Sequence, residues 1–486
     1  MNSKYIFICI LVILTACSVP VHIDKTVDEQ PSVFPDYAGV TIPPNIAPLN
    51  FSVITEEKEA CAILAAGDQQ LVVKASDKHI KIPESEWKTL LQVATGKQIS
   101  VTVAVRKGNE WIGFAPFFLA VASQPIDPYL VYRLIEPGYE LWNQMGIYQR
   151  NLENFEQSPL IENKMTNDNC MNCHSFCAQN PEKMLFHMRE KLPGTYLIDG
   201  DKIEKLNTKT GQTISPLVYP SWHPSGKYVA FSVNETKQAF HLNDKNRIEV
   251  YDRASDVVVY DTEKHEIVTS PELFSKGAFE TFPTFSPDGR TLYFCSAAAR
   301  PIPEEYSSVR YSLCSISFDP VTRSFGSQVD TLYNASVSGK SVSFPRVSPD
   351  GRFLLYTLSG YGNFSIWHKD ADLYLADLKT GESRPLDEVN SRDVESYHSW
   401  SSNSRWFVFS SRRLDGLYTR PFIAYVGEDG KAGKPFLLPQ EDTGFYARFM
   451  KSYNIPEFVT GKVKVNSRKL ALKAKEEKGT DVRFVK

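Results

Sequence analysis

Short apolar runs that alternate with polar residues recur along most of the chain, and apolar patterns of helical period are scarce. The clearest run is Ile99–Val105, where every second residue is apolar, so we expect one side of this strand to be buried and the other to face solvent. Gly, Asn and Asp separate many of the runs and mark turns. The pattern predicts a mainly β protein.

Four of these runs lie close together in the first third of the chain, at 51–54, 71–74, 99–105 and 129–132. Their length and spacing predict a small antiparallel β-sandwich of the immunoglobulin or fibronectin type. We place this domain at residues 49–136. No catalytic pattern is recognisable in it.

A repeated motif dominates the second half of the chain. Each copy has an aromatic residue, then proline or histidine, then a turn and a β-run, and the copies begin at Tyr219, Phe282, Phe344 and Tyr397. They are spaced by about 60 residues, which is typical of a repeat architecture. Two copies contain Ser-Pro-Asp-Gly-Arg, in which proline presets φ, Asp accepts backbone hydrogen bonds and Gly takes a positive φ. Such a turn joins two neighbouring strands.

Further β-runs follow each turn, and four strands per unit, repeated radially, predict a β-propeller over residues 195–465. Thr195–Ile214 contains two outer strands alone, so we expect the matching inner strands to come from Tyr446–Val465 and to close the ring. This count gives five blades, with six or seven left open.

On these turns and the aromatic-rich strands after them, residues 195–460 resemble the TolB-like, WD40-like (PD40) propeller family. The first copy departs from the family pattern at His223, and the fourth, Ser401–Arg405, has lost the Asp-Gly pair. The resemblance implies a non-enzymatic scaffold with a protein partner on the propeller face.

Residues 137–194, between the two β regions, are richer in Asn, Gln, Glu and Met. Asn180 suits a helix N-cap, Pro181 suits the first helical position, and Pro193 followed by Gly194 would end the helix. The sequence therefore predicts a short, partly helical segment here.

This segment contains Cys170-Met171-Asn172-Cys173-His174, and the C-x-x-C-H pattern is typical of covalent haem c attachment. Two thiols at this spacing reach the haem vinyl groups, and the adjacent imidazole binds the iron. We therefore predict one haem c, tethered by Cys170 and Cys173, with His174 as the proximal ligand.

Other uses of these cysteines stay open. Cys177 extends the pattern to C-x-x-C-H-x-x-C, which also suits a directly bound metal or a disulfide. Cys61, Cys295 and Cys314 remain as further partners in an oxidising compartment. Cys295 and Cys314 lie in two runs that we expect to be neighbouring strands. The two residues could therefore form a cross-strand disulfide, or both could be buried free thiols.

A low-spin haem needs a sixth ligand close to the motif, usually Met or His. Met184, His187 and Met188 lie on the predicted helix, with the methionines on its apolar side and His187 at its edge. We favour His187 as the distal ligand, with Met184 and Met188 as the alternatives or as core residues.

Lys4 precedes an apolar run, Tyr5–Leu14, that is too short for a stable membrane anchor and suits a secretory signal. The run ends in Leu14-Thr15-Ala16-Cys17, which resembles the bacterial lipobox. The resemblance implies a signal peptide over residues 1–16 and acylation of Cys17, which places the protein in the periplasm or cell envelope, with Ser18 favouring the outer membrane. An ordinary signal peptide is the alternative.

The two ends of the mature chain are predicted to lie outside the folded domains. Residues 17–48 are rich in proline and predict a stiff tether between the lipid and the first domain. Residues 466–486 are basic and predict a solvated tail.

Charge and the absence of certain sequence motifs reduce the number of functional classes to consider. A net charge of −3 and a pI near 6.3 give no electrostatic footprint for nucleic acid. The sequence has no G-x-S-x-G elbow and no second C-x-x-C-H, so catalysis is disfavoured. Three classes remain: a lipid-anchored haem c protein in electron transfer or redox-linked protein binding, a non-enzymatic scaffold in which C-x-x-C-H is structural, and a periplasmic oxidoreductase.

Overall fold

The computed structural model describes residues 21–136 and 144–485, so the predicted signal peptide and Cys17 lie outside the described residues. Strands dominate, and the prediction of a mainly β protein is confirmed. Among the described residues, no helix is long and apolar enough to cross a membrane.

The N-terminal part contains two sheets and one helix. The larger sheet has seven strands: Lys25–Thr26, Thr41–Ile42, Ala60–Ala66, Gln69–Ala75, Gln98–Lys107, Glu110–Gly113 and Phe117–Val121. The smaller sheet has three: Val33–Phe34, Phe51–Val53 and His79–Ile80. The helix Glu84–Ala94, absent from the sandwich prediction, buries Trp87, Leu90 and Leu91 against the strands. Trp87 also donates its indole N–H to the carbonyl of Ile46 at 2.9 Å.

Six further sheets follow, which we number in chain order. Sheet I has Tyr129–Ile135, Met145–Asn151, Gln157–Glu162 and, from the other end of the chain, Ser452–Val459. Sheet II has Cys170–Phe176, Lys183–Arg189, Gly194–Asp199, Lys202–Asn207 and Thr480–Asp481. Sheet III has Leu217–Trp222, Tyr228–Phe240, Ile248–Asp261, Glu266–Val268 and Arg483–Phe484.

The next three sheets each have four strands in chain order. Sheet IV has Ala278–Phe285, Thr291–Ala298, Ser312–Asp319 and Ser324–Tyr333. Sheet V has Ser341–Val347, Phe353–Ser359, Asp372–Asp377 and Ser383–Pro385. Sheet VI has Glu395–Trp400, Trp406–Ser411, Arg420–Tyr425 and Phe436–Leu437. Short helices lie between strands at Ala335–Ser338, Phe445–Arg448 and Ser467–Ala474, with 3-10 turns at Asn163–Thr166, Cys177–Gln179, Tyr306–Ser308 and Ser365–Trp367.

One strand of each numbered sheet contacts the corresponding strand of the next sheet, and these six inner strands form a closed cycle. The cycle closes because Ser452–Val459 pairs with Tyr129–Ile135 in sheet I. This radial arrangement is that of a β-propeller. The expectation that a C-terminal strand closes the ring is confirmed. The predicted partner, Thr195–Ile214, is wrong, because Gly194–Asp199 pairs with Lys183–Arg189.

A β-bulge interrupts every inner strand at the same position. The residue in the bulge has a positive φ in all six sheets: Cys173, Tyr219, Phe282, Phe344, Tyr397 and Ile455. The register shifts there in each pairing with the next strand of the same sheet. Positive φ is uncommon outside glycine, and one such residue costs about 1–3 kcal/mol. Six equivalent instances show that the bulge belongs to the architecture, where it re-aims the side chains that follow it.

The repeated turns form as their sequence predicts. In the second copy, Ser286 donates to Asp288 and accepts from the backbone N–H of Thr291. Gly289 has a φ of 72°, and a Cβ there would lie 2.0 Å from Nε2 of His223, so only glycine fits. In the fourth copy Asn403 replaces Asp as the acceptor, and Ser404 takes the positive φ of 61°.

The partly helical segment predicted around the cysteine motif is wrong. Lys183–Arg189 is a strand that pairs on both sides within sheet II. Met184, Phe186 and Met188 are buried in one apolar cluster, as alternating strand residues. Helical and strand spacings both fit this short run, and pairing with the inner strand decides the outcome.

Both predicted extensions are also wrong where they are described. Thr41–Ile42 pairs with Phe117–Val121, and Val40, Ile42 and Ile46 are buried, so this proline-rich stretch belongs to the N-terminal fold. In the basic tail, the helix Ser467–Ala474 buries Leu470, and the last two strands extend sheets II and III.

A disulfide between Cys295 and Cys314 is excluded by the strand register. Cys295 lies opposite Leu313, whereas Cys314 lies opposite Phe294, so the two side chains point to opposite sides of sheet IV. Their thiols belong to different apolar clusters. Cys61, Cys170, Cys173, Cys177, Cys295 and Cys314 are all free.

Candidate functional site in the central cavity

The inner strands surround a cavity of about 340 Å³ on the ring axis. The six bulge residues form what we call the floor ring: Cys173, Tyr219, Phe282, Phe344, Tyr397 and Ile455. Four of them are aromatic, and their neighbouring ring centroids lie 4.2–4.9 Å apart. Aromatic pairs at this distance pack favourably, so the floor ring is apolar over the arc from sheet III to sheet VI.

Two positions beyond the bulge, each inner strand places one polar side chain on the cavity wall. We call this set the polar ring: Ser175, Ser221, Thr284, Arg346, Ser399 and Glu457. Four sheets contribute a hydroxyl, sheet V contributes a guanidinium and sheet I contributes a carboxyl. The ring is thus repetitive in backbone and asymmetric in charge.

Tryptophans fix the wall between neighbouring sheets. The indole N–H of Trp222 donates to the carbonyl of Ser175 at 3.2 Å, and that of Trp400 donates to the carbonyl of Arg346 at 3.0 Å. Both rings also line the cavity, together with Phe285. The turns that follow the inner strands contribute Pro224, Pro287 and Pro349 to the lining.

Within the described part of the chain, Arg346 is the only Lys or Arg that lines the central cavity. Its Nη1 donates to the carbonyl of Pro345 at 3.0 Å. No carboxylate of the described residues lies within ion-pair distance of it. Burial lowers the pKa of Arg346, and Glu457 acts in the opposite direction. The guanidinium therefore retains N–H donors that face the cavity without a matching anion.

Glu457 lies on the same wall. Its Oε1 accepts a hydrogen bond from the backbone N–H of Phe176 at 3.0 Å. Burial raises the pKa of Glu457 to about 8, and the hydrogen bond from Phe176 and the charge of Arg346 oppose this rise. At pH 7 the carboxyl is therefore mostly protonated and does not compensate Arg346.

Histidine replaces proline directly after the bulge in two sheets. His398 of sheet VI pairs its Nε2 with the carbonyl of Leu355 at 2.9 Å. Neither ring nitrogen of His174, in sheet II, forms a hydrogen bond of normal geometry with any described residue. The carbonyls of Val131 and Ile455 lie near enough to affect it, but burial dominates and lowers the pKa of His174 to about 3. This buried imidazole is neutral at physiological pH.

The cysteine motif itself is the inner strand of sheet II. Cys173 and His174 line the central cavity, and Cys170 does not. The exposed fractions of Cys170, Cys173 and His174 are 9%, 3% and 3%. Burial raises the pKa of the Cys170 thiol, and Arg133 and Arg189 lower it less strongly.

The three predicted distal ligands lie away from His174. His187 is directly opposite Asn172 on the next strand and lines a different cavity of about 290 Å³. Burial lowers the pKa of His187 to about 3, so it is also neutral. Met184 and Met188 pack in the apolar cluster around Phe186. None of these three side chains lines the central cavity.

Haem c fits this arrangement in one respect only. The ring nitrogens of His174 form no hydrogen bond of normal geometry, which suits an iron ligand. However, the motif is an extended, paired strand, its thiols are buried, and Cys170 and Cys173 do not open into one cavity. Cys170, Cys173 and His174 therefore do not form a haem-binding site in this structure, and covalent haem stays a prediction. Among the described residues, no group of three or more His, Cys, Asp or Glu side chains is arranged to hold a metal ion.

Sequence reasoning singled out the motif and missed Arg346 and Glu457. The signal was present in the repeats: Tyr219-Pro220-Ser221, Phe344-Pro345-Arg346 and Ile455-Pro456-Glu457 share one pattern. An alignment of the copies would have shown Ser or Thr at the third position of four copies, and Arg346 and Glu457 at that position in the other two.

Neither a known family model nor a curated protein matches the chain. Three solved structures that match it are distant. Prolyl oligopeptidase B from Galerina marginata matches with a TM-score of 0.33 and 10% identity over 70% of this chain and 42% of its own. Dipeptidyl peptidase 4 of Porphyromonas gingivalis gives 0.29 and 11% over 60% and 48%. A chain of the mitotic checkpoint complex gives 0.31 and 12% over 64% and 82%. This chain spans less than half the length of the first two. Such values assign neither a family nor an activity.

Proposed function

We propose that the protein is a non-enzymatic binding protein of the cell envelope, anchored by lipid at Cys17, whose central cavity holds a small ligand. In this proposal sheets I–VI are the six blades of a TolB-like propeller, and the N-terminal sheets are a sandwich-like domain packed against it. Asp127, which accepts from the Ser402 hydroxyl and backbone N–H of sheet VI, is one of the contacts between the two parts.

The observation that carries the proposal is the convergence of one polar side chain from every sheet on a single cavity. The cavity has the size of a small-molecule site and combines an apolar floor with a few polar groups, as ligand sites usually do. The charge asymmetry of Arg346 gives it the means to select one ligand orientation.

The contacts of the cavity hydroxyls favour binding over catalysis. Ser399 donates to the carbonyl of Pro456 at 2.8 Å, and Ser221 donates to Thr284 at 3.5 Å. An activated serine needs a base within hydrogen-bond reach. Nε2 of His398 instead bonds the backbone of Leu355.

A thermal-shift screen of small polar compounds tests the proposal. Compounds that raise the Tm of the wild type should lose their effect in Ser221→Phe, which fills the cavity from its wall, because the binding volume disappears. Ser307→Phe, an exposed serine outside the cavity, is the matched control and should keep every hit. Hits that survive Ser221→Phe, or a screen with no hit at all, would contradict the proposal.

Electron transfer through a covalent haem c is the second candidate. The neutral imidazole of His174, which lacks hydrogen bonds of normal geometry, favours it. The test is a visible absorption spectrum of the protein co-expressed with the cytochrome c maturation system. A c-type spectrum that disappears in His174→Ala would establish this candidate, whereas free Cys170 and Cys173 thiols in the mature protein would exclude it.

A further inference from the structure

We propose that the ligand of the central cavity is an apolar carboxylic acid whose carboxylate pairs with Arg346. The inference rests on the proposed function and names the class of ligand that the cavity selects.

The charge of Arg346 is unmatched. Among the residues that the structure describes, Arg346 and Glu457 are the only Asp, Glu, Lys or Arg residues that line the cavity, and they do not form an ion pair with each other. The guanidinium is bonded to one carbonyl, that of Pro345. Arg346 is partly buried, and a cation partly withdrawn from water without a counterion carries an energetic cost that an anionic ligand would reduce.

The single charge of Arg346 favours a carboxylate over a phosphate. A carboxylate carries one negative charge and matches the single guanidinium, whose planar fork suits two parallel hydrogen bonds. A phosphate monoester carries about −1.5 to −2 charges at pH 7 and would leave part of its charge uncompensated here. Thr284, a neighbour of Arg346 on the polar ring, accepts from Ser221 and keeps its own O–H to donate to a carboxylate oxygen.

Aromatic side chains also line the cavity and favour a ligand with an apolar body. The indoles of Trp222 and Trp400 and the ring of Phe285 line the wall, and Tyr219, Phe344 and Tyr397 line the floor. A flat apolar group packs well on such surfaces. The volume of about 340 Å³ holds a small acid or the terminal residue of a peptide.

Glu457 gives the site a pH dependence of defined sign. Its folded-state pKa of about 8 lies above the ordinary value, so it is neutral below about pH 8 and ionised above. Ionised Glu457 would offset Arg346 and repel a carboxylate, so affinity should fall as the pH rises through 8. Two histidines also line the cavity, His174 and His398, and the pKa of each is lowered to about 3. The remaining titratable groups of the described lining are Cys173 and the tyrosines of the floor ring. Burial raises the pKa of Tyr219 and Tyr397, so these phenols stay neutral through this range.

Isothermal titration with benzoate and with its uncharged isostere benzamide tests the inference at pH 7. Benzoate should bind the wild type at least tenfold more tightly than benzamide, and Arg346→Gln should remove this difference because the charged partner is lost. The matched control is Arg352→Gln, which removes an exposed guanidinium of the same sheet that does not line the cavity. This variant should leave benzoate binding unchanged. A circular dichroism melt confirms that both variants are folded.

The pH arm uses Glu457→Gln. Wild-type affinity for benzoate should fall about tenfold between pH 7 and pH 10, and Glu457→Gln should remain flat over this range. N-acetylphenylalanine, compared with its amide, distinguishes a peptide chain end from a free acid, because only a chain-end site would bind it more tightly than benzoate.

Equal binding of benzoate and benzamide, or retention of the preference in Arg346→Gln, would overturn the inference. It would leave the proposed function standing if both compounds still lose binding in Ser221→Phe. Failure of both compounds to bind would overturn the inference, and the thermal-shift screen then decides the proposed function separately.

Discussion

The inner strands of sheets II and III have the same backbone and different chemistry. Cys173 and Tyr219 occupy the bulge with φ of 55° and 50°, and each is followed two positions later by a serine of the polar ring. Between bulge and serine, sheet III has Pro220, which has no N–H and no polar side chain. Sheet II has His174, whose two ring nitrogens lack normal hydrogen bonds. The haem-like pattern thus occupies a position that the propeller repeat already defines.

This difference shows where to look for function in a repetitive ring. The repeat fixes the backbone at every inner strand, so a residue is informative when it departs from most of its equivalents. Arg346 and Glu457 depart from the hydroxyls of the polar ring, Cys173 and Ile455 depart from the aromatic residues of the floor ring, and His174 and His398 replace proline next to it.

Removal of one inner strand should have the largest effect. Ending the chain after Met450 deletes Ser452–Val459, which carries buried Tyr453 and Phe458 and closes the ring in sheet I. Cooperative unfolding of the whole ring should be lost, as measured by thermal melting with circular dichroism. Ending the chain after Gly479 removes only edge strands of sheets II and III and should keep a cooperative transition at lower Tm. Cooperative melting of the longer deletion would show that the ring closes elsewhere.

Truncating the bulge residue to alanine should destabilise the protein more in a sheet where that residue is large than in a sheet where it is small. Phe344 lies 4.2 Å and 4.9 Å, between ring centroids, from Phe282 and Tyr397, so Phe344→Ala should cost about 3–5 kcal/mol of unfolding free energy. Cys173→Ala removes one buried sulfur and should cost about 1 kcal/mol. Urea denaturation of both variants gives the two values. A cost for Cys173→Ala as large as that for Phe344→Ala would mean that its thiol holds a bound group.

We expect the smallest change in stability at two glutamates that occupy equivalent positions in different sheets. Each lies two residues before the bulge residue of its inner strand. Glu395 is bonded to Arg413 at 2.8 Å, whereas Oε2 of the buried Glu280 has no partner among the described residues. Burial raises the pKa of Glu280 to about 8, with the charge of Asp256 adding to the rise. The stability from this raised pKa is complete below about pH 4.5 and is lost as the pH rises through 8.

Glu280→Gln should therefore match the Tm of the wild type at pH 5 and exceed it at pH 9. Glu304→Gln, at an exposed site, should show no such divergence. Glu395→Gln breaks a buried pair and should lower Tm at both pH values. Parallel Tm curves for Glu280→Gln and the wild type would show that Glu280 does not titrate in this range.

Much of the ring was predictable from the sequence because local chemistry fixes it. The turns at Ser286 and Ser348 and the strands after them follow from Ser-Pro-Asp-Gly-Arg, and the copies at Tyr219, Phe282, Phe344 and Tyr397 all mark inner strands. The copies at Cys173 and Ile455 were missed because neither begins with an aromatic residue, and the copy at Ile455 also lacks a turn and a following strand.

What the sequence could not show depends on distant pairing. The run Lys183–Arg189 fits a helix or a strand until its hydrogen bonds to sheet II are known. Thr480–Asp481 has no strand signal of its own and is fixed by Lys202–Asn207. The same holds for the site: Arg346 and Glu457 are far apart in sequence, and only ring closure brings both into one cavity.

The melting curve of His174→Pro tests the central claim most directly, because the claim is that position 174 is a propeller position like Pro220. Four equivalent positions already carry proline, and the change removes a buried imidazole without normal hydrogen bonds and restricts the unfolded chain. We expect the free energy of unfolding to rise by about 1 kcal/mol, with unchanged visible absorption. A lower Tm, or the loss of a haem spectrum that the wild type shows, would contradict the account.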